Sequence, residues 1–384
     1  AVDFRERTDL VGVTSFTPET PSAYAIADAF RQQGVLVIMG GVHASALPEA
    51  ALLHADAVVI GEAESVWHEV LADAAAKRLQ PRYQASGYCD MKGMVLPRRD
   101  LVDRRIYVTG YYTIEATRGC PFDCDYCAVT GVFGRTFRTR PVGEVLAEIR
   151  GFEDRCFFFV DDNLCGQPAY ARELFQELVP LGKRWGAQAS ITMARDPELL
   201  RLYYQAGGRY VFIGIETLNE EGLAGVNKSW NRAGEYVEQL RRIQEAGIAV
   251  LGSFILGLDQ DDVKVFDRTL AFIDESGIDA AQFHILTPFP GTRLFEAMDR
   301  EGRILHRDWA RYHTGEVVFQ QNKRTNTLGA FNLLLPFGLY DIEVVPAVGS
   351  PYAARVLYGN FVIDYPHSLG LVTLDPGVAL SGTV

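Results

Sequence analysis

The apolar residues of this chain fall into short continuous runs, separated by stretches in which they recur every three to four positions. Residues 9–16 (Asp-Leu-Val-Gly-Val-Thr-Ser-Phe) read as a buried parallel strand, and a helix is predicted from about Pro21 to Gln33, closed by Gly34. A second strand follows at 35–41, a short helix at 48–54, a third strand at 57–61, and an alanine-rich helix at about 64–78. Strands alternating with helices at this pace predict an α/β sheet of the doubly wound, Rossmann-like kind, whose ligands sit beyond the carboxyl ends of the strands. Gly40, Gly41 and His43 fall at such an end. From spacing alone the glycines make a tight turn and His43 is a solvated loop residue.

The stretch from Pro81 to Arg105 is rich in charge and proline and reads as a linker. After it, strand and helix alternate six times. The strands are the extended run 111–118, then 156–160, 187–192, 210–215, 249–256 and 281–286. Helical stripes appear at Val142, Val145, Leu146 and Ile149, again at Ala171, Leu174, Phe175 and Leu178, and at Tyr236, Val237, Leu240 and Ile243. Near-continuous apolar strands suit a parallel sheet covered on both faces. Six repeats predict an open (βα)6 partial TIM barrel rather than the closed eight-fold one, with its chemistry at the carboxyl ends of the strands.

Composition narrows the function classes. The 384 residues carry 48% hydrophobic and 22% charged side chains, ordinary for a globular chain of two or three domains. A net charge of −12 argues against a surface built to neutralise nucleic-acid phosphates. No apolar run approaches the roughly 18 residues of a membrane-spanning helix, and the opening Ala-Val-Asp-Phe-Arg-Glu-Arg is no secretory signal. The expected setting is the reducing cytoplasm.

Cysteine spacing supplies the chemistry. Residues 118–127, Arg-Gly-Cys-Pro-Phe-Asp-Cys-Asp-Tyr-Cys, place thiols at Cys120, Cys124 and Cys127. Such a loop can present three sulfurs to one face of a 4Fe-4S cube, one short of the usual four, so that one iron stays open. A structural zinc site is the alternative, but it wants four ligands at short paired spacings. The remaining thiols, Cys89, Cys156 and Cys165, and the histidines nearest in sequence, His68 and His284, lie at no such spacing.

This loop, with Tyr126 just before its last cysteine, resembles the signature of the radical S-adenosylmethionine (radical SAM) enzymes. Gly40-Gly-Val-His-Ala-Ser45, Leu47-Pro-Glu49 and Gly61-Glu-Ala-Glu64 resemble the later part of the cobalamin-binding domain that precedes the barrel in one subfamily, and Pro288-Phe-Pro-Gly-Thr292 and Trp309 to Phe319 resemble its branch of hopanoid methylases and bacteriochlorophyll cyclase and methylases. The resemblance covers roughly residues 9–320. It implies a division into an incomplete cobalamin-binding-like domain (1–80), a linker (81–108), a radical SAM partial barrel (109–305) and a C-terminal extension (306–384). The Asp-x-His-x-x-Gly loop that replaces the lower cobalt ligand in that family does not occur here, so weak retention of cobalamin without a histidine on cobalt is expected.

The resemblance further implies a 4Fe-4S cluster on Cys120, Cys124 and Cys127 as metal ligands and catalytic residues, S-adenosylmethionine as cosubstrate, and cobalamin. Polar groups at the predicted strand ends become cosubstrate contacts: Tyr126, Asp161, Glu216 and Gly257, with Arg195 a weaker candidate, and Gly40 and Gly41 on the cobalamin side. The reaction implied is generation of a 5′-deoxyadenosyl radical and methylation or related C–H modification of a hydrophobic lipid or tetrapyrrole, with an electron donor such as flavodoxin or ferredoxin. The alternatives are a cobalamin-independent enzyme such as a methylthiotransferase, and a non-catalytic iron–sulfur sensor. From Thr325 onward the only charged residues are Asp341, Glu343, Arg355, Asp364 and Asp375, and the family likeness ends near Gln320, which leaves either a divergent β-rich cap or an out-of-frame end.

Overall fold

In a computed structural model of the chain, the residues described are Phe4, 7–103, 112–321 and two short backbone segments, 342–343 and 356–357. The predicted C-terminal extension beyond 321 lies outside the described residues, apart from the antiparallel pair Ile342–Glu343 with Val356–Leu357.

The first layer is a four-stranded parallel sheet in the order β1-β2-β3-β4. It is built from β1 (Leu10–Thr14), α1 (Thr20–Gln32), β2 (Leu36–Gly40), α2 (Gly41–Ala46), α3 (Pro48–Leu52), β3 (Ala57–Ile60), α4 (Trp67–Ala75) and β4 (Arg82–Gln84). Successive side chains of a strand leave on opposite faces, and the core divides accordingly. Val37, Met39 and Val58 join Ala23, Ala27 and Phe30 of α1 on one side, while Ile38, Ala57 and Val59 join Val70 of α4 on the other. Two readings need correction. His43 is a buried residue inside α2, not a solvated loop residue. The sheet also extends into the stretch read as linker, because Tyr83 of β4 is buried and donates its hydroxyl to Asp73 of α4 at 3.0 Å. Three residues after a proline are too few for a periodic signal.

The second layer is a six-stranded parallel sheet in the order β12-β11-β10-β9-β8-β5. Its strands and helices alternate as β5 (Tyr112–Ile114), α6 (Val142–Arg150), β8 (Cys156–Phe159), α7 (Pro168–Leu178), β9 (Arg184–Ala189), α8 (Pro197–Gln205), β10 (Gly208–Glu216), α9 (Glu220–Gly225), α10 (Tyr236–Glu245), β11 (Ala249–Leu256), α11 (Val265–Ser276) and β12 (Ala280–Ile285), followed by α12 (Arg293–Arg300). Between β5 and α6 come β6 (Thr117–Arg118), α5 (Ala128–Phe133) and β7 (Arg138–Thr139). Among the described residues β5 and β12 are the two edge strands, as the open six-fold barrel requires. Phe157, Phe159, Trp185, Ala187, Val211, Ile213, Ile215, Val250 and Phe254 point outward into the helix layer and form the main core. Their alternates, among them Phe158, Gln188, Phe212, Leu251, Ser253 and His284, face the other way and remain only partly covered or flank small residues.

The sequence-based strand limits shift where a side chain captures backbone. The expected run 111–118 breaks at 115–116, because Asp161 accepts from the backbone N–H groups of Ala116 and Thr117, and Thr117–Arg118 turns away to pair antiparallel with β7. The strand expected at 187–192 begins and ends three residues earlier, and 191–195 form a tight 3-10 turn whose start is capped by Ser190 Oγ accepting from Thr192 N.

Two of the contacts that join the layers fix the cysteine loop and its helix. In the first, Glu62 of the first layer is buried against Arg118 (2.9 Å) and Arg138 (2.8 Å) of the β6–β7 ribbon, and also accepts from Cys89 N at 2.7 Å. Arg118 is shared with Glu64 and Glu115 at 2.7 and 2.8 Å. The second is a junction of small residues. A Cβ on Gly131 of α5 would lie 2.7 Å from the carbonyl oxygen of Gly291, and one on Gly291 would lie 2.9 Å from Ala46 of α2. The helix after the cysteine loop, the loop after the last strand and the first layer therefore meet at backbone distance. Gly131→Ala is expected to lower stability by about 1–3 kcal/mol through this overpacking, whereas Gly143→Ala, in an exposed helical position with open space around it, should raise it by roughly 0.5–1 kcal/mol; thermal unfolding of the two variants checks the opposite signs. Glu62→Ala leaves two guanidinium groups without their shared partner and should cost about 3 kcal/mol, with protease sensitivity appearing first in the linker around Tyr88 if the contact holds the layers together.

Candidate functional site

The cysteine loop leaves β6 and is pinned along its whole length. Gly119 has φ +86°, and a Cβ there would lie 2.3 Å from the Thr136 carbonyl oxygen, so only glycine fits. Its N–H donates to Asp162 at 3.1 Å. Further along, Arg293 forms ion pairs with Asp123 (2.9 Å) and Asp125 (2.7 Å), and Asp125 N donates to Val226 O at 3.1 Å. Phe122 stacks on Trp230 with ring centres 4.2 Å apart and planes 7° from parallel. Cys127 then caps α5.

All three thiols are free and half-buried. Burial pushes Cys124 up to about 11 and Cys127 up to about 12, and raises Cys120 as well. The donor set fits an iron–sulfur cube. Backbone N–H groups of Phe122 and Val129 point at the sulfurs of Cys120 and Cys127, and Asn163 Nδ2 lies 3.8 Å from Cys120 Sγ, the kind of hydrogen bonding that tunes such clusters. Among the described residues no three His, Cys, Asp or Glu side chains converge on a single point. Thiolates on a cube instead bind separate irons.

Beside the loop stands a buried triad. Glu216, the last residue of β10, adopts φ +68°, an uncommon and costly conformation for a side chain of its size. Its Oε1 accepts from Lys228 Nζ at 2.6 Å and from Tyr126 OH at 2.9 Å. A Cβ on Gly214 would sit 2.2 Å from that oxygen, so the preceding bulge also needs glycine. Burial alone would lower Lys228, yet the Glu216 carboxylate outweighs it and holds the ammonium above its ordinary range. Tyr126 is pushed up by burial and by Glu216, and its ring packs with Leu258, Leu286 and Phe319. Lys228 was not singled out by the sequence reading. It lies 12 positions after its partner in a loop, and no local pattern reports that separation.

The other expected site residues divide. Gly257, φ +97°, lies next to this cluster, and with Leu258 it donates its N–H to the buried Asp261 at 2.9 Å. Burial pushes Asp261 up to about 6. Asp161 lies beneath the loop rather than facing it. Both its oxygens accept from Ala116 N, and one also takes Thr117 Oγ1 at 2.6 Å, so its visible work is to turn the chain into β6. Burial pushes it up to about 7 despite those donors. Arg195 does not reach the site. It is exposed and bonds Glu235 at 3.1 Å, because the 3-10 turn carries it outward. Gly40 and Gly41 end β2 in the first layer, and a Cβ on Gly41 (φ +86°) would lie 2.2 Å from Thr14 Oγ1. The α2 helix they open packs on α5. His43 donates or accepts through Nδ1 with Thr17 Oγ1 at 3.2 Å and packs edge-on against Trp309 at 5.4 Å, while its Nε2 is buried without a partner among the described residues and burial lowers the ring to about 4.

Comparison with known proteins agrees with this geometry. The sequence matches the Radical SAM superfamily over residues 114–273 and the B12 binding domain over residues 4–71. It is 36% identical to the bacteriochlorophyllide d C-12(1)-methyltransferase of Chlorobaculum tepidum, over 88% of this chain and 74% of that one. It is 30% identical to the hopanoid C-2 methylase of Rhodopseudomonas palustris, over 72% of this chain but 54% of that one. In fold it is similar to the radical S-adenosylmethionine methyltransferase TsrM of Kitasatospora setae, solved with cobalamin and a [4Fe-4S] cluster, with a TM-score of 0.68 at 18% identity over 78% of this chain and 68% of that one. With the Radical SAM and B12 binding domain matches in one chain and a relative 36% identical over most of both chains, the chain is an enzyme of the radical S-adenosylmethionine superfamily, in the branch that carries a cobalamin-binding domain.

Proposed function

We propose that this chain methylates an unactivated carbon of a large hydrophobic substrate, of the tetrapyrrole rather than the hopanoid type. The observation that carries the reading is the juxtaposition of the cysteine loop with the Tyr126–Glu216–Lys228 triad at the mouth of a barrel whose sixth strand is an open edge. The higher identity to a bacteriochlorophyllide methyltransferase, over most of both chains, favours the tetrapyrrole. Cys89 lies in the contact between layers, Cys165 in the core and Cys156 on β8. That scatter gives no basis for the second cluster a methylthiotransferase would want.

When bound, the cluster with S-adenosylmethionine supplies a 5′-deoxyadenosyl radical, and cobalamin supplies a methyl group. In this reading Cys120, Cys124 and Cys127 would hold the cluster through three thiolates on the pinned loop, leaving one iron free for the cosubstrate. Glu216 takes a donor group of the cosubstrate, its strained backbone fixed by Lys228. Tyr126 covers the cosubstrate with its ring, and the left-handed turn at Gly257 leaves room beside it. Gly40 and Gly41 line the cobalamin side through close backbone approach. A first domain that runs through β4, a linker ending at about 108, a flavodoxin- or ferredoxin-type electron donor and a cytoplasmic setting complete the proposal. Among the described residues no helix is long and apolar enough to cross a membrane.

Anaerobic turnover with a bacteriochlorophyllide and, separately, a hopanoid tests the substrate. Formation of 5′-deoxyadenosine together with a methylated tetrapyrrole is expected, and a methylated hopanoid alone would overturn that choice. Reconstitution should give about four irons per chain, lost on changing Cys120, Cys124 or Cys127 to Ala and retained on changing Cys156 or Cys165; a fourth indispensable cysteine would contradict the open-iron reading. Glu216→Gln should weaken S-adenosylmethionine binding and, by leaving the buried Lys228 without its carboxylate, lower stability by about 3 kcal/mol. In the double variant Glu216→Gln, Lys228→Met, calorimetry should show most of that stability restored and cosubstrate binding still weak. Recovery of both would make the triad structural only.

A further inference from the structure

Among the described residues, the barrel interior holds one imidazole. His284 lies near the carboxyl end of β12, and its neighbour Phe283 stacks outward on Phe254 with ring centres 5.6 Å apart. By strand alternation His284 therefore points to the inner face. Glu216 registers with Phe254 and Phe254 with Phe283, so His284 stands one residue beyond the row of Glu216 and two strands away, about 10 Å at the usual strand spacing.

This ring is held in one orientation. His284 Nδ1 lies 2.9 Å from Thr314 Oγ1, and Ile285 N donates to Thr314 O at 2.7 Å, which seats the 314 segment along the free edge of β12. Thr314 has φ +63°, a genuine outlier for a β-branched residue. Backbone strain of this kind persists where surrounding structure fixes it and clusters at ligand sites. In the tautomer whose Nδ1–H donates to the threonine, the lone pair resides on Nε2, the arrangement found behind metal-ligating histidines. Burial also keeps the ring on the neutral side.

We propose that His284 is a substrate-binding residue, whose Nε2 takes the axial position on the divalent metal at the centre of a metallated tetrapyrrole and so sets which edge of the macrocycle meets the reacting centre. The inference rests on the tetrapyrrole reading of the substrate and adds to it the requirement for a central metal. Thr314 is a positioning residue for that imidazole.

The test is anaerobic titration of the full chain with zinc protoporphyrin IX and with metal-free protoporphyrin IX, read by absorbance and magnetic circular dichroism. Wild type should bind the zinc form at least tenfold more tightly and give the red-shifted band of a five-coordinate imidazole adduct. His284→Ala should lose both the shift and the preference, keep its iron content and melting temperature, and regain the shift when imidazole is added to His284→Gly. Thr314→Val should weaken the zinc form alone. Equal affinity for the two porphyrins in wild type, or a shift that survives His284→Ala, would overturn the assignment while leaving the tetrapyrrole reading intact. Binding of neither porphyrin would instead remove the tetrapyrrole reading, and this inference with it.

Discussion

The rest of the structure depends on where one carboxylate is allowed to sit. Glu62 is buried with Arg118 and Arg138 around it and Cys89 N on its second oxygen. A charge out of water is tolerated only when paired and hydrogen-bonded, so these partners must arrive together: a loop of the first sheet, the linker, and both strands of the ribbon that carries the cysteine loop. Arg118 precedes Cys120 by two residues, and Tyr88, next to Cys89, presses on Gly134 just beyond α5. One ionic contact thus grips the loop near its start while the adjacent tyrosine grips it near its end. The cobalamin-binding half is in this way mechanically continuous with the half that holds the thiols.

A second constraint is the distribution of strain. Gly119, Glu216, Gly257, Gly291 and Thr314 all have positive φ, and all lie at the carboxyl-end side of the barrel, in or beside the loops there. At Glu216 and Thr314 the side chain is not glycine, so the conformation has a cost that the surrounding bonds must offset. Those bonds are Lys228 and Tyr126 on the first and His284 on the second. In a closed eight-stranded barrel the inner face is filled by layers of branched side chains. Here that face carries Gly186, Gly214, Ser253 and Gln188 between its aromatic residues, and two strand edges stay apart. Space and polarity, rather than packing, are what the inner face provides.

Local pattern by itself determined much of this protein. The two runs of alternating strands and helices, the count of six barrel strands and the three-thiol loop are properties of short windows, governed by side-chain period and by spacing within ten residues, and they emerge in the fold as read. The strand limits at 115–118 and 189–192 moved because Asp161 and Ser190 compete for backbone donors, which period alone does not report.

Tertiary structure decided what those parts do to one another. Tyr126 meets Glu216 across 90 positions, Gly119 meets Asp162 across 43, and Arg118 meets Glu62 across 56. Asp161, expected at the cosubstrate, bonds the backbone that turns into β6; Arg195, expected there too, bonds Glu235; and Lys228, overlooked, pairs with Glu216. Polar residue type at a strand end establishes that a group can act. Which backbone or charge it finds there is set by desolvation among partners far apart in the chain, and only the assembled fold selects them.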